Sequence, residues 1–107
     1  MAVHFARKTL PFDGTAGTHP QTLAGQTVTF THLGNKSIKR ADAAIASFKL
    51  EFKGDDHNFY IGRATVDAVD VVSADTVKFD GHINLQDLDA SNPFKGEMTV
   101  LVIADAE

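Results

Sequence analysis

The stretch TVKFDGHINLQ, residues 76–86, has the clearest alternation of apolar and polar side chains in this sequence. Successive side chains of a β-strand point to opposite faces, so such alternation places one set in a core and the other in solvent. The set expected to point inward is Val77, Phe79, Gly81, Ile83 and Leu85. The set expected to point outward is Lys78, Asp80, His82, Asn84 and Gln86. The stretch therefore predicts a half-buried strand.

Other stretches on both sides of this one also have strand character. Apolar and polar side chains alternate in TVTFT (residues 27–31), which predicts a half-buried strand. EMTVLVIADAE (97–107) has apolar residues on both faces, which predicts a strand that is central in a sheet or covered by another subunit. In FYIGRATVDAVDVV (59–72), the apolar residues move from even-numbered to odd-numbered positions after Ala68, which predicts a β-bulge. ADAAIASFKLEFK (41–53) would also tolerate a helix. The period-two series Ala44, Ala46, Phe48, Leu50 and Phe52 favours a strand.

These strands predict an all-β fold, a single small antiparallel β-sandwich of about six strands. Turn signals separate the strands, and no stretch gives a firm prediction of a helix. Residues 1–25 are rich in Gly, Thr and Pro toward their end, and they are predicted to form an irregular, extended N-terminal arm. The sandwich domain is expected to occupy residues 26–107.

Composition excludes several functions. The chain has 107 residues, the size of one domain, and no cysteine, so disulfide scaffolds, thiol nucleophiles and Cys-rich zinc sites are excluded. The formal net charge of -4 is scattered along the sequence, which argues against nucleic acid as a partner. No apolar run approaches the roughly 20 residues that span a bilayer, and no classical signal peptide is present. Membrane insertion is not expected, and the compartment stays open between cytoplasmic and released.

Four segments follow one another in a recognisable order and spacing: TVTF, AAIASFKLEF, IGRATVDAVDVVSADTVKFDGHINL and GEMTVLVIADAE. This order resembles the H-type lectin domain over about residues 26–104. The resemblance implies a short antiparallel β-sandwich that forms a homotrimer and binds GalNAc-type sugars between protomers. It also implies a sugar-binding role for Arg63, with His82 and Asn84 on the late outward face.

Two groups of polar residues are candidate ligand-binding sites. The first group lies at alternate positions of one strand, with neighbours about 7 Å apart: Asp80, His82 and Asn84. It predicts a polar surface that can hydrogen-bond hydroxyl groups. Because the chain has no Trp, Tyr60 is a candidate for the aromatic platform that a sugar needs. A plain solvated sheet face is the alternative.

The second group is the acidic turn Asp55, Asp56 and His57. Consecutive residues on an extended backbone alternate in direction, so at most two of them could bind one ion. GDDHN is also ordinary hairpin chemistry, since Asp and Asn hydrogen-bond their own backbone. The turn is therefore expected to act, if at all, by contacting a ligand or a neighbouring subunit. No metal site, cofactor or catalytic residue is expected.

The function predicted from the sequence is a non-catalytic, lectin-like carbohydrate-binding module that works as an oligomer, with a trimer implied by the resemblance. The alternative is a structural or attachment trimer domain of a phage-like or secreted particle, without sugar specificity. An enzyme ranks behind both, because no convincing pair of nucleophile and base stands out.

Overall fold

The computed structural model describes residues 2–14, 21–52, 61–86 and 94–107, and these residues form six β-strands and no helix. The strands are β1 Ala2–Gly14, β2 Gln21–Thr29, β3 Ile38–Phe52, β4 Ile61–Val71, β5 Thr76–Gln86 and β6 Phe94–Ala106. The prediction of an all-β fold with about six strands is confirmed. In the described part of the chain, no helix has the length and apolar character that crossing a membrane requires.

The strands form two antiparallel sheets of three strands each. Sheet A has the order β1-β6-β3, and sheet B has the order β2-β5-β4. The two central strands, β5 and β6, therefore each have a neighbour on both sides. The central position of β6 agrees with the apolar character of both its faces.

The hydrophobic core lies between the inner faces of the two sheets. Val77 and Phe79 of β5 are fully buried, and so are Val100 and Val102 of β6. The alternation predicted for β5 is confirmed at Val77, Phe79, Gly81 and Ile83, which are buried, and at Lys78, which is exposed. Two inner faces that interdigitate in this way are the usual core of a β-sandwich.

Two β-bulges flank β5 at the same level. The register between β4 and β5 shifts between Asp67 and Asp70, which confirms the bulge predicted after Ala68. Ala68 has a positive φ of 54° and is exposed, because it is the extra residue of the bulge. On the other side, the register between β2 and β5 shifts between Leu23 and Gln26, where Gly25 has a φ of 66°.

The N-terminal segment differs from the irregular arm that was expected over residues 1–25. Residues 2–14 form β1, which pairs with β6 from Ala2 to Gly14, and β2 begins at Gln21. The alternation was hidden because the large apolar residues change face along the strand: Val3 and Phe5 point outward, whereas Leu10 and Phe12 are buried. Pro11 is tolerated because β1 is an edge strand.

Strand β3 forms as predicted, but its faces are not those of a single period-two series. The register with β6 shifts between Ile45 and Ser47, so the phase changes by one residue within the strand. Ala44 is consequently exposed, whereas Ile45 packs against the core. Phe48, a member of the period-two apolar series, is 59% exposed.

The connection between β4 and β5 contains a carboxylate that is stabilised by hydroxyl groups. Ser73 and Thr76 donate their side-chain hydroxyls to Oδ1 of Asp75 at 3.0 and 2.9 Å. These bonds, that of Thr76 first, lower the pKa of Asp75 below its ordinary value. The backbone carbonyl of Asp75 also accepts a hydrogen bond from Phe30, so the turn is tied to the segment after β2.

We expect Asp75→Asn to remove a pH-dependent part of the stability. A lowered folded-state pKa stabilises the protein above the unfolded pKa, and this contribution is lost as the pH falls through the folded value. The melting temperature of the wild type should therefore exceed that of Asp75→Asn at about pH 6 and approach it at about pH 2.5. Thermal unfolding followed by circular dichroism measures this difference.

The control for this experiment is Asp70→Asn, since Asp70 is exposed on β4 and hydrogen-bonds no described side chain. If the difference in melting temperature between the wild type and Asp75→Asn stayed constant down to about pH 2.5, the lowered pKa of Asp75 would not be its cause.

Candidate functional site

Three of the predicted site residues lie together on the outer face of sheet B. Arg63 of β4 and His82 and Asn84 of β5 border an open depression of about 280 Å³. Thr65, Asp67 and Ile83 complete its lining. The sequence analysis named all three as candidate ligand-binding residues, and the structure brings them to one surface.

The register between β4 and β5 explains why these side chains meet. Arg63 pairs with Asn84, and Thr65 pairs with His82. Directly opposed residues of two antiparallel strands share a face of the sheet, with their Cβ atoms about 5 Å apart. The depression is therefore built on two neighbouring strands, which gives its side chains a rigid base.

His82 is held between strands on both sides of β5. Its Nε2 lies 2.9 Å from Oδ1 of Asp67, and its Nδ1 lies 2.8 Å from Oγ1 of Thr22. A carboxylate can only accept, so Nε2 carries a proton and, in the neutral ring, Nδ1 accepts from the hydroxyl of Thr22. The side chain of His82 is 32% exposed, and both of its ring nitrogens are engaged.

Asp80 lies one step along β5 from His82 and is also held in place. Its Oδ1 accepts the backbone N–H of Gly25 at 2.8 Å. That N–H is available because Gly25 lies in the bulge of β2. Asp80 also pairs directly with Asp67 of β4, so two carboxylates face the same part of the surface.

Other polar groups of the depression make no hydrogen bond with the described residues. Arg63 is exposed and has no ion pair, and the hydroxyl of Thr65 has no partner among these residues. Oδ1 of Asn84 is buried and also has none. The guanidinium of Arg63 and the hydroxyl of Thr65 are thus left to contact something else, whereas the amide oxygen of Asn84 is closed to solvent.

Asp67, Asp80 and His82 could also contact one cation. One ligand atom from each residue lies within 4.8 Å of the others. Two carboxylates and an imidazole are ligands that divalent metals accept. The sequence analysis expected no metal, because it examined clusters along the chain, and only the register of β4 with β5 brings Asp67 beside Asp80 and His82.

The series Thr22, His82 and Asp67 has the order of a hydroxyl, base and acid relay. Acyl transfer requires hydrogen-bond donors at the place where negative charge develops. The carboxylates of Asp67 and Asp80 beside this series would oppose an anion, whereas the guanidinium of Arg63 borders the same depression. Asp67 is also 63% exposed, so water screens any field at the site.

The remaining predicted site residues, Tyr60, Asp55, Asp56 and His57, lie outside the described residues. Sequence reasoning also missed Asp67, Thr65 and Thr22. The outward phase of β4 could have identified Asp67 and Thr65, since both alternate with Val66. No sequence pattern pointed to Thr22, because it lies in the segment that was predicted to be an irregular arm.

Comparison of the chain with protein-family models, with curated proteins and with solved structures found no match.

Proposed function

We propose that this protein is a non-catalytic module that binds a carbohydrate through the outer face of sheet B and acts as an oligomer. The observation that carries the proposal is the depression beside His82, in which the exposed side chains of Arg63 and Thr65 have no partners among the described residues. The network around His82 fixes the surface on which these groups lie.

The chemistry of the depression is complementary to neighbouring hydroxyl groups. A sugar hydroxyl both donates and accepts, and adjacent hydroxyls present these functions at fixed spacing. The guanidinium of Arg63 supplies several donors in one plane, and the half-buried side chain of Asn84 borders the same depression. Thr65 can both donate and accept a hydrogen bond. Five of the six lining residues are polar or charged, which fits a polyhydroxylated ligand better than a lipid or an aromatic compound.

The resemblance to the H-type lectin domain names the first sugar to test and the first assembly to expect. It implies GalNAc-type ligands and a trimer. Weak single sugar contacts gain avidity when several sites are linked, which is why an oligomer belongs to this proposal.

We expect GalNAc-type glycans to bind, and Arg63→Ala and Asn84→Ala each to weaken binding about tenfold or more, since a hydrogen bond to or from a charged or buried group is lost. Calorimetric titration and a glycan array measure this. Lys78→Ala is the control, because Lys78 lies on the same face of β5 outside the depression. Parallel titrations with Ca²⁺ and with EDTA test the cluster of Asp67, Asp80 and His82.

Unchanged affinity in both variants would place the binding site elsewhere. No binding of any glycan by a well-folded oligomer would favour the alternative, a structural or attachment module of a phage-like or secreted particle. The exposed apolar side chains Val3 and Phe5 support that alternative, since such surfaces commonly contact other chains.

A further inference from the structure

Charge is distributed unevenly across the depression on sheet B and its border. The pairing of β4 with β5 forms three rows of side chains there, namely Arg63 with Asn84, Thr65 with His82, and Asp67 with Asp80. The first row carries a guanidinium, and the third carries two carboxylates. Alternate residues of a strand are about 7 Å apart, so the two charged rows are separated by about 13 Å. The surface therefore has a cationic end and an anionic end.

The cationic end is formed by Arg63. Its side chain is exposed and makes no ion pair or hydrogen bond with the part of the chain that the structure describes. Its row partner, Asn84, has no charge. A guanidinium binds a carboxylate through two parallel hydrogen bonds, so the chemistry that suits this end is an oxyanion, above all a carboxylate.

The anionic end is formed by Asp67 and Asp80. Oδ1 of Asp67 lies 2.9 Å from Nε2 of His82, and Oδ1 of Asp80 accepts the N–H of Gly25 at 2.8 Å, so both carboxylates are held in place. The second oxygen of each has no partner among the described residues. Ligand atoms of these two residues and His82 lie within 4.8 Å of one another, close enough for one cation to contact them. An ammonium group carries three donors and suits two such carboxylates.

The row between the two ends is neutral and fixed. Thr65 presents an exposed hydroxyl, whereas both ring nitrogens of His82 are engaged. The Debye length is about 8 Å at physiological ionic strength, so charges about 13 Å apart act on a ligand almost independently. The same separation exceeds the width of one sugar ring. A ligand that uses both ends is therefore at least a disaccharide.

We propose that the depression selects zwitterionic glycans, with an acidic sugar at Arg63 and an amino sugar that carries a free ammonium at Asp67 and Asp80. This inference rests on the proposed function, since it names the class of glycan for the same site. It also fixes the direction of the glycan along β4, with its acidic sugar at the end of the strand away from the bulge at Ala68.

Calorimetric titration with four disaccharides of one skeleton tests the proposal. The neutral reference is an N-acetylhexosamine linked to a hexose. The second disaccharide has a free amine in place of the N-acetyl group, the third has a hexuronic acid in place of the hexose, and the fourth has both changes. An exposed ion pair strengthens binding by up to about fivefold, so we expect each single change to raise affinity about fivefold and both together about twentyfold. An increase in ionic strength from about 0.05 to 0.5 M should reduce both preferences.

Two variants assign each preference to one end, where a preference is the ratio of the affinities for a charged and for the neutral disaccharide in the same variant. Arg63→Gln should abolish the preference for the acid, and Asp67→Asn should lower the preference for the amine. Asn can still accept a hydrogen bond from Nε2 of His82, so the network is kept. Lys78→Gln and Asp70→Asn are the matched controls, because they remove the same charges from the same face outside the depression. Neither control should change a preference.

Equal affinity for all four disaccharides would overturn this inference and leave the proposed function standing. A preference for the acid that survived in Arg63→Gln, or a preference for the amine that was undiminished in Asp67→Asn, would overturn it as well. So would binding of the neutral disaccharide that rises with Ca²⁺ and is lost in EDTA, because a metal ion would then occupy the anionic end. Absence of binding by all four, with folding verified by circular dichroism, would overturn both this inference and the proposed function.

Discussion

Phe79→Ala is expected to lower the free energy of unfolding by about 3–5 kcal/mol, the usual cost of truncating a buried aromatic residue. Phe79 lies on the central strand of sheet B, has no exposed surface and is among the largest buried side chains. Its removal loses apolar contacts and leaves a cavity between two sheets that are each only three strands wide. A domain of this size has about 5–15 kcal/mol of stability, so the variant would lose a large part of it.

Urea denaturation measures this loss, and the slope of the transition should stay unchanged if both proteins unfold in one step. The control is Phe5→Ala, which removes the same atoms from a site that is 65% exposed. Its effect should stay within about 0.5 kcal/mol when measured at concentrations that keep the protein monomeric. Equal losses in both variants would mean that the core is not where the structure places it.

Gly96→Ala is expected to lower the free energy of unfolding by about 1–3 kcal/mol, and to do so by disturbing the pairing of two strands. A Cβ atom at this position would collide with the backbone carbonyl oxygen of Lys49 on β3. It would also lie 2.9 Å from Cδ2 of Leu50. A backbone atom cannot rotate away, so β3 must move relative to β6.

Gly81→Ala is the matched control, because it adds the same methyl group to the other sheet. Its Cβ would lie 2.7 Å from Cδ1 of Leu10 and 2.9 Å from Cε of Met98. These atoms are the ends of flexible side chains, which can shift at lower cost. Hydrogen exchange should show faster opening of the β3–β6 pairs in Gly96→Ala only. The reverse order of stability would contradict this explanation.

The sequence predicted those parts of the fold that follow from local periodicity. The alternation around Val77 and Phe79 identified β5 and its buried face, and the slip after Ala68 identified a bulge. The order of strands within each sheet could not be predicted, because it depends on pairings between distant segments. β1 was missed because its large apolar residues change from the outer to the inner face between Phe5 and Leu10, which cancels the alternation.

The residues of the candidate site were likewise predicted only in part. Arg63 was named as a candidate from the resemblance, and His82 and Asn84 from the outward phase of their strand; all three lie around one depression. Asp67 and Thr22, which hold His82, come from the two strands on either side of β5. Only the register of those strands brings them to His82, and no local pattern contains that information.

The two outer faces of the sandwich differ in chemistry and point in opposite directions. The two sheets of one sandwich lie about 10 Å apart, so a ligand on the outer face of sheet B leaves the outer face of sheet A uncovered. The exposed side chains of Val3 and Phe5 lie on that second face. Contacts made through one face would therefore not compete with contacts made through the other, and the domain could join two different surfaces.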